Sequence, residues 1–285
     1  MPTTVSKFTA RRYQASVAAL ALLACASARA DEKPLWEAGL GIGVVAFPDY
    51  RGSDQERVLP VPVPYLIYRG DFFKADRNGV RGEFVKREWV ELSLSLNATV
   101  PVESNNVHAR VGMPNLRPTL ELGPDLEFHL WRSKDSHVKL DAELPLRLPV
   151  TVQSPPQYLD WDIAPRLDLN LENLSALPGW NFGIGAGPVF AARKYNEYFY
   201  TVAPQYATAT RPVYNAGGGY SGTQFVTALT KRFPHYWVGA FIRYDSLQGA
   251  VFEDSPLVKQ KYGFAGGLGI AWIFRESSHL VESED

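Results

Sequence analysis

From His137 to Val152 the chain keeps one phase of alternation: Val138, Leu140, Ala142, Leu144, Leu146, Leu148 and Val150 on one side, Lys139, Asp141, Glu143, Arg147 and Thr151 on the other. Period two belongs to a strand, whose successive side chains point to opposite faces. Trp89 to Val100 repeats the pattern, with Val90, Leu92, Leu94, Leu96, Ala98 and Val100 set against Glu91, Ser93, Ser95, Asn97 and Thr99. So does Tyr158 to Glu172, with Leu159, Trp161, Ile163, Leu167, Leu169 and Leu171 against Asp160, Asp162, Arg166, Asp168, Asn170 and Glu172. A soluble strand usually runs about five or six residues. These runs are long enough to cross a bilayer, with an apolar face for lipid and a charged face for a lumen. In hydrocarbon every backbone polar group needs a partner, so strands cross it only as a closed barrel. The expected fold is therefore all-β, an antiparallel transmembrane β-barrel.

The stretch Lys261 to Phe274 reads as its closing strand. Phe264, Leu268, Ile270, Trp272 and Phe274 make a bulky face, while Ala265, Gly267, Gly269 and Ala271 leave the other nearly bare. Prolines complicate the picture, because a ladder cannot use a residue without an N–H. Pro145, Pro149 and Pro165 fall inside alternating runs, and Pro60, Pro62 and Pro64 form a series of their own. Bulges or local loss of pairing are expected there.

The first thirty residues carry Lys7, Arg11 and Arg12, then the apolar run from Val17 to Ala24, then Ala28-Arg29-Ala30 before Asp31. This is the layout of a secretory signal, too short to span a bilayer, with cleavage expected after Ala30 and with Ala28 and Ala30 as its small residues. Leu22-Leu23-Ala24-Cys25 partly resembles a lipobox, so lipidation of Cys25 is the competing outcome. Residues 1–30 are expected to be the signal, 31–274 the barrel and 275–285 a polar tail. Beyond residue 30 the chain holds 25 Lys+Arg against 30 Asp+Glu, which gives no footprint for nucleic acid. The one cysteine lies in the signal, so residues 31–285 offer neither a disulfide nor a thiolate. No later segment approaches the 18 apolar residues or so of a membrane helix.

Strand parity supplies a count. With 262–274 descending toward the periplasm, residues 247–261, 194–222 and 101–116 become outer loops, and 233–235, 173–179 and 133–135 short periplasmic turns. That is the usual asymmetry of such barrels. An even total needs a hairpin at Arg77-Asn78-Gly79, where Asn-Gly is the strongest two-residue hairpin signal. The expectation is twelve strands, with ten as the alternative. Trp36, Trp89, Trp131, Trp180, Trp237 and Trp272 then fall near periplasmic strand ends, where interfacial aromatics belong, and Trp161 falls at the other end. Face parity turns Trp89, Trp131 and Trp237 inward.

Three constellations bear on chemistry. His129 and Glu127 share an inward face with Ser93 and Ser95 of the preceding strand, the residue types of a Ser/His/acid hydrolase; a merely polar lumen needs the same residues. Asp141, Glu143, Asp160, Asp162 and Asp168 with Arg147 and Arg166 make a charged lumen wall, either selecting cations or cross-linked as a plug of side chains. The histidines show no metal-ligand spacing and no cofactor motif is present, so neither metal nor cofactor is expected. The loop Tyr195 to Gly222 is rich in aromatics, among them Tyr195, Tyr198, Phe199, Tyr200, Tyr206, Tyr214 and Tyr220. Such residues suit either contact with a partner or folding over the barrel mouth.

Four short motifs in order resemble the MipA/OmpV family. They are Phe47-Pro-Asp-Tyr-Arg-Gly-Ser-Asp54, Tyr68-Arg69-Gly70, the YFYTVAP and RPVYNAGGGY halves of the aromatic loop, and Asp254-Ser-Pro-Leu-Val258. The resemblance implies a non-enzymatic barrel in the outer membrane of a Gram-negative cell. It implies a scaffold whose partners are a murein lytic transglycosylase and a murein synthase in peptidoglycan remodelling, seated among outer-membrane lipid. The residues alone leave open a small-solute channel or an adhesin-like surface protein. Intact-mass measurement of the envelope form should place its N-terminus at Asp31; a diacylated Cys25 would contradict that cleavage.

Overall fold

A computed structural model describes residues 32–69, 73–76, 79–82, 85–87, 89–134 and 137–282. In chain order the strands are β1 (Glu32–Pro34), β2 (Trp36–Pro48), β3 (Glu56–Arg69), β4 (Phe73–Asp76), β5 (Gly79–Gly82), β6 (Val85–Arg87), β7 (Val90–Ala98), β8 (Thr119–Arg132), β9 (Val138–Thr151), β10 (Asp162–Ile163), β11 (Arg166–Leu171), β12 (Trp180–Ala191), β13 (Gly219–Arg232), β14 (Tyr236–Ser246), β15 (Tyr262–Glu276) and β16 (Leu280–Glu282). Among the described residues an α-helix, α1 (Arg193–Tyr200), follows β12. No helix among the described residues is long and apolar enough to cross a membrane. Residues 34–279 form one unit. The described residues on either side of it, Glu32–Lys33 and Leu280–Glu282, belong to a second, where β1 pairs with β16.

The large sheet is antiparallel throughout, in the order β5-β4-β3-β2-β15-β14-β13-β12-β10-β9-β8-β7-β6, with β11 sharing the place of β10 between β9 and β12. Its two ends meet, since β5 runs beside β7 with Cα atoms within 8 Å. The sheet is thus a barrel. The seam between early and late strands is the β2–β15 ladder, which runs from Ala46 opposite Gly266 to Glu37 opposite Glu276, with a bulge between Ile273 and Arg275. The last strand therefore passes the expected end at Phe274 by two residues. The twelve-strand count turns on the hairpin at Arg77-Asn78-Gly79. Arg77 and Asn78 lie outside the described residues, and on either side of them Asp76 faces Gly79.

Burial is inverted relative to a water-soluble protein. Leu40, Ile42, Val44, Leu144, Leu146 and Leu148 are exposed on the outside, as are Phe264, Leu268, Ile270, Trp272 and Phe274 of β15. Glu37, Glu91, Glu121, Asp141, Asp162 and Asp245 are buried, none more than 4% exposed. Charged residues are rarely that buried, and apolar ones are normally the inside set. The arrangement suits a wall with hydrocarbon outside and a polar interior, and makes this a transmembrane barrel.

Proline is accommodated by position. Pro145 and Pro149 lie on β9, and their carbonyls accept from Ala164 and Leu159. The N and C=O of one strand residue point to the same side, so both missing N–H groups face the broken β10–β11 row and not β8. That row keeps a single register with β9 on either side of Ala164-Pro165, from Ile163 opposite Leu146 to Arg166 opposite Glu143. On β3 the ladder with β2 continues through Pro60, Pro62 and Pro64, while pairing with β4 is confined to Tyr68 and Arg69. Proline is tolerated on such an edge.

Six tryptophans stand at the end with the short turns: Trp36, Trp180 and Trp237 near strand starts, Trp131 and Trp272 near strand ends, and Trp89 just before β7. The inward orientation expected of Trp89 and Trp131 is corrected: they are 58% and 54% exposed. For Trp131 the cause is a bulge between His129 and Trp131, one extra residue that shifts side-chain parity.

At the seam, Gly41 faces Ala271, and a Cβ on Gly41 would stand 1.8 Å from the Ile270 carbonyl oxygen. Gly41→Val should therefore separate β2 from β15 and abolish the heat-modifiable gel migration of the folded barrel. Val44→Ala, on the exposed face of the same strand, should preserve it.

Candidate functional site

At the end with the long loops, residues from four separate connections pack into one core. Tyr50, Val102, Val107, Leu116, Phe199, Tyr200, Ala216, Leu247, Ala250 and Phe252 are buried together, with Tyr195, Tyr198 and Tyr214 against them. The Tyr200 and Phe252 rings stack at 3.7 Å and 8°. Tyr200 donates its hydroxyl to the Arg51 carbonyl (3.0 Å), Tyr50 to the Leu257 carbonyl (2.7 Å), and Ser255 to the Tyr200 carbonyl (2.7 Å). Three of the four motifs, PDYRGSD, the aromatic loop and DSPLV, thus meet at one point. Of the fourth, Gly70 lies outside the described residues.

Buried arginines fasten the loops to one another. Arg110 donates to the Phe199 carbonyl at 2.9 Å, and Arg211 donates to the carbonyls of Ala109, Val111 and Tyr206. Burial lowers the Arg110 pKa, partly offset by Tyr50. Burial also raises Tyr195 and Tyr200 well above the ordinary phenol value, with Glu121 adding to the rise of Tyr195 and Arg51 opposing that of Tyr200.

The aromatic-loop residues are engaged in this cap. Phe199 and Tyr200 are in its core, and Tyr195 reaches down to Glu121 (2.9 Å). Tyr198 accepts from the Arg117 amide (2.6 Å) and donates to its carbonyl (3.0 Å), and Tyr214 donates to the Val251 carbonyl (3.3 Å). Tyr206 packs on a neighbouring cluster of Ala109, Met113, Val202 and Leu257. Tyr220, already on β13, pairs with Thr223 (2.7 Å).

Below the cap, ion pairs cross-link the wall. Arg166 bridges Glu143 and Asp168, and Arg147 joins Asp162 (3.3 Å) to Ser95 (2.9 Å). Asp245 receives Arg51, Arg243 and Gln224 at 2.8–2.9 Å. Arg232 and Tyr65 converge on Glu37. A cavity of about 220 Å³ lies against β12, lined by Arg147, Arg166, Asp168 and Gln224 among others. Asp160 departs from the expected wall. It precedes β10 at φ 79°, and its carboxylate is 3.9 Å from Lys194 of α1. Alternation from Tyr158 cannot carry through a residue in that conformation.

The serine and histidine candidates are not brought together. Ser93 faces Asp125 and Ser95 faces Gly123, so His129 lies four residues further along β8, roughly 13 Å at strand rise. His129 Nδ1 is instead 3.0 Å from Asp141 Oδ1, with Arg132 Nη2 2.8 Å from the same nitrogen. Sequence spacing could not reveal this group, because Asp141 comes from the next strand and Arg132 reaches it through the bulge.

A family model described as MltA-interacting protein MipA matches residues 40–274. No curated protein matches the chain. Among solved structures, a bacterial polysaccharide outer membrane secretin aligns at 11% identity and TM-score 0.42, covering 84% of this chain and 99% of that one. The outer membrane protein OprG from Pseudomonas aeruginosa aligns at 9% identity and TM-score 0.23, covering 84% and 94%.

Replacing Phe252 by Ala should cost the cap about 3–5 kcal/mol. Loop amides around Tyr200 should then exchange faster while β13 and β14 stay protected. Because the buried tyrosines are raised above the ordinary phenol value, their contribution is complete below about pH 10 and is lost as pH rises through their folded values. Tyrosinate absorbance should therefore lag that of free tyrosine in alkaline titration, and Phe252→Ala should reduce the lag.

Proposed function

The chain belongs to the MltA-interacting protein MipA family, and we propose that it is an outer-membrane barrel that acts by holding partners at its rim rather than by passing solutes. The observation that carries this reading is the covered mouth. A packed core covers the mouth, and below it arginine–carboxylate pairs line the inner wall, most of them between neighbouring strands. A conducting pore of larger barrels is open at both ends, whereas here packed loops lie over one of them. What remains for recognition is the surface at the two ends.

The short-turn end faces the periplasm in this reading. Its partners there are a murein lytic transglycosylase, as the family name indicates, and a murein synthase, which the scaffold would bring to the same stretch of peptidoglycan. Synthesis and cleavage held side by side need no catalytic group from the barrel, so the role is non-enzymatic. The apolar outer wall and the tryptophan belt support residence in a lipid bilayer.

Capture with the tagged protein from gently solubilised envelopes should retain a lytic transglycosylase or a murein synthase. Recovery of neither would overturn the scaffold role. Planar-bilayer recording separates it from a small-solute channel: the scaffold reading expects a silent membrane, and steady unitary conductance would favour the channel.

A further inference from the structure

We propose that Glu127, His129 and Asp141, on the inner wall near the short-turn end, form a binding site for a divalent transition-metal ion such as Zn²⁺, with Arg132 as a built-in cation that the metal displaces. One ligand atom from each of the three residues can be chosen so that all lie within 4.8 Å of one another. His129 Nδ1 is 3.0 Å from Asp141 Oδ1 and 3.6 Å from Glu127 Oε1. In a tetrahedral site with bonds of about 2.1 Å, ligand atoms stand about 3.4 Å apart. The two separations bracket that value without any movement of the backbone.

A cation already lies against two of the three ligands. Arg132 Nη2 is 2.8 Å from His129 Nδ1 and 2.5 Å from Asp141 Oδ1. A guanidinium nitrogen can only donate. Nδ1 thus lies between a positive centre and the Asp141 carboxylate, and a metal at this point would take the ring as neutral imidazole. Two carboxylates beside one imidazole match a divalent ion in charge and in donor type.

The bulge makes this geometry. Regular alternation would place Arg132 on the opposite face from His129; one extra residue between His129 and Trp131 turns it inward, and bulges often re-aim side chains at functional sites. Arg132 is the last residue of β8, and its side chain is 30% exposed against 5% for Asp141. Its Nη1 donates to the carbonyls of Trp131 (3.0 Å) and Leu140 (3.2 Å), bonds that an incoming ion must break to turn the side chain out to solvent while the three acceptors stay on their strands. The ion would thus enter from the short-turn end, and three protein ligands would leave one coordination position for water.

The test is zinc titration of the folded full-length protein in detergent, read by competition with a chromophoric chelator. The site predicts one Zn²⁺ per barrel, at least tenfold weaker binding in His129→Gln and Asp141→Asn, and several-fold tighter binding in Arg132→Gln, where the competitor is gone. Heat-modifiable migration checks that each variant is folded. X-ray absorption on the wild-type zinc complex gives an independent reading, with one nitrogen and two carboxylate oxygens at about 2.0–2.2 Å. Absence of stoichiometric zinc in both wild type and Arg132→Gln would overturn the proposal. So would zinc binding that survives intact in folded His129→Gln and Asp141→Asn.

Discussion

The pairing of β2 with β15 is the contact on which the rest of this molecule depends. A sheet in hydrocarbon cannot present a row of unpaired backbone groups, because each costs several kcal/mol when water is absent. Residues 37–46 and 266–276 meet that requirement for the early and late parts of the chain. The approach is so close that backbone oxygens of β15 occupy the space where side chains of β2 would begin, and glycine at Gly39 and Gly41 is the response. Once the wall is closed, its inner face can hold carboxylates away from lipid. The charge pattern of the lumen is thus a consequence of closure and not an independent feature.

Inside that wall the ion pairs are better understood as mutual necessity than as a source of stability. Burying an isolated carboxylate is expensive, and an arginine alongside it recovers much of the cost without exceeding it by a large margin. Arg147 with Asp162, Arg166 with Glu143 and Asp168, and Arg232 with Glu37 therefore help to specify strand register along the inner wall. Their geometric effect is to tie side chains of several strands together on the inner face.

Much of the wall was legible in the sequence because alternation is a local signal that each strand carries by itself. Val138 to Thr151 needs no knowledge of its neighbours to declare two faces, and Phe264 to Phe274 declares its bulky side in the same way. Legibility failed where geometry departs from period two. One extra residue near His129 reversed the facing of Trp131, and the positive φ of Asp160 removed it from the wall before the strand began. The cap lay beyond local reading for a different reason. Its aromatics are visible in the sequence, but nothing in the spacing of Tyr195 to Tyr220 says whether they stand free or pack inward. That depends on Tyr50 and Phe252, which come from distant loops. The Arg132, His129 and Asp141 group was hidden by both causes at once.

The cap also carries a consequence for how the molecule is made. Its hydrogen bonds join residues very far apart in the chain: Tyr50 to Leu257 spans 207 positions, and Arg51 to Tyr200 spans 149. Contacts of such high order bring no reward until the intervening chain has been ordered. Leu257 lies immediately before β15, so the core over the mouth can be completed only when the last strand is in place. A barrel stalled one hairpin short would lack the partners of Tyr50 and leave the aromatic loop uncovered. The sealed mouth is in that sense a record of completed assembly.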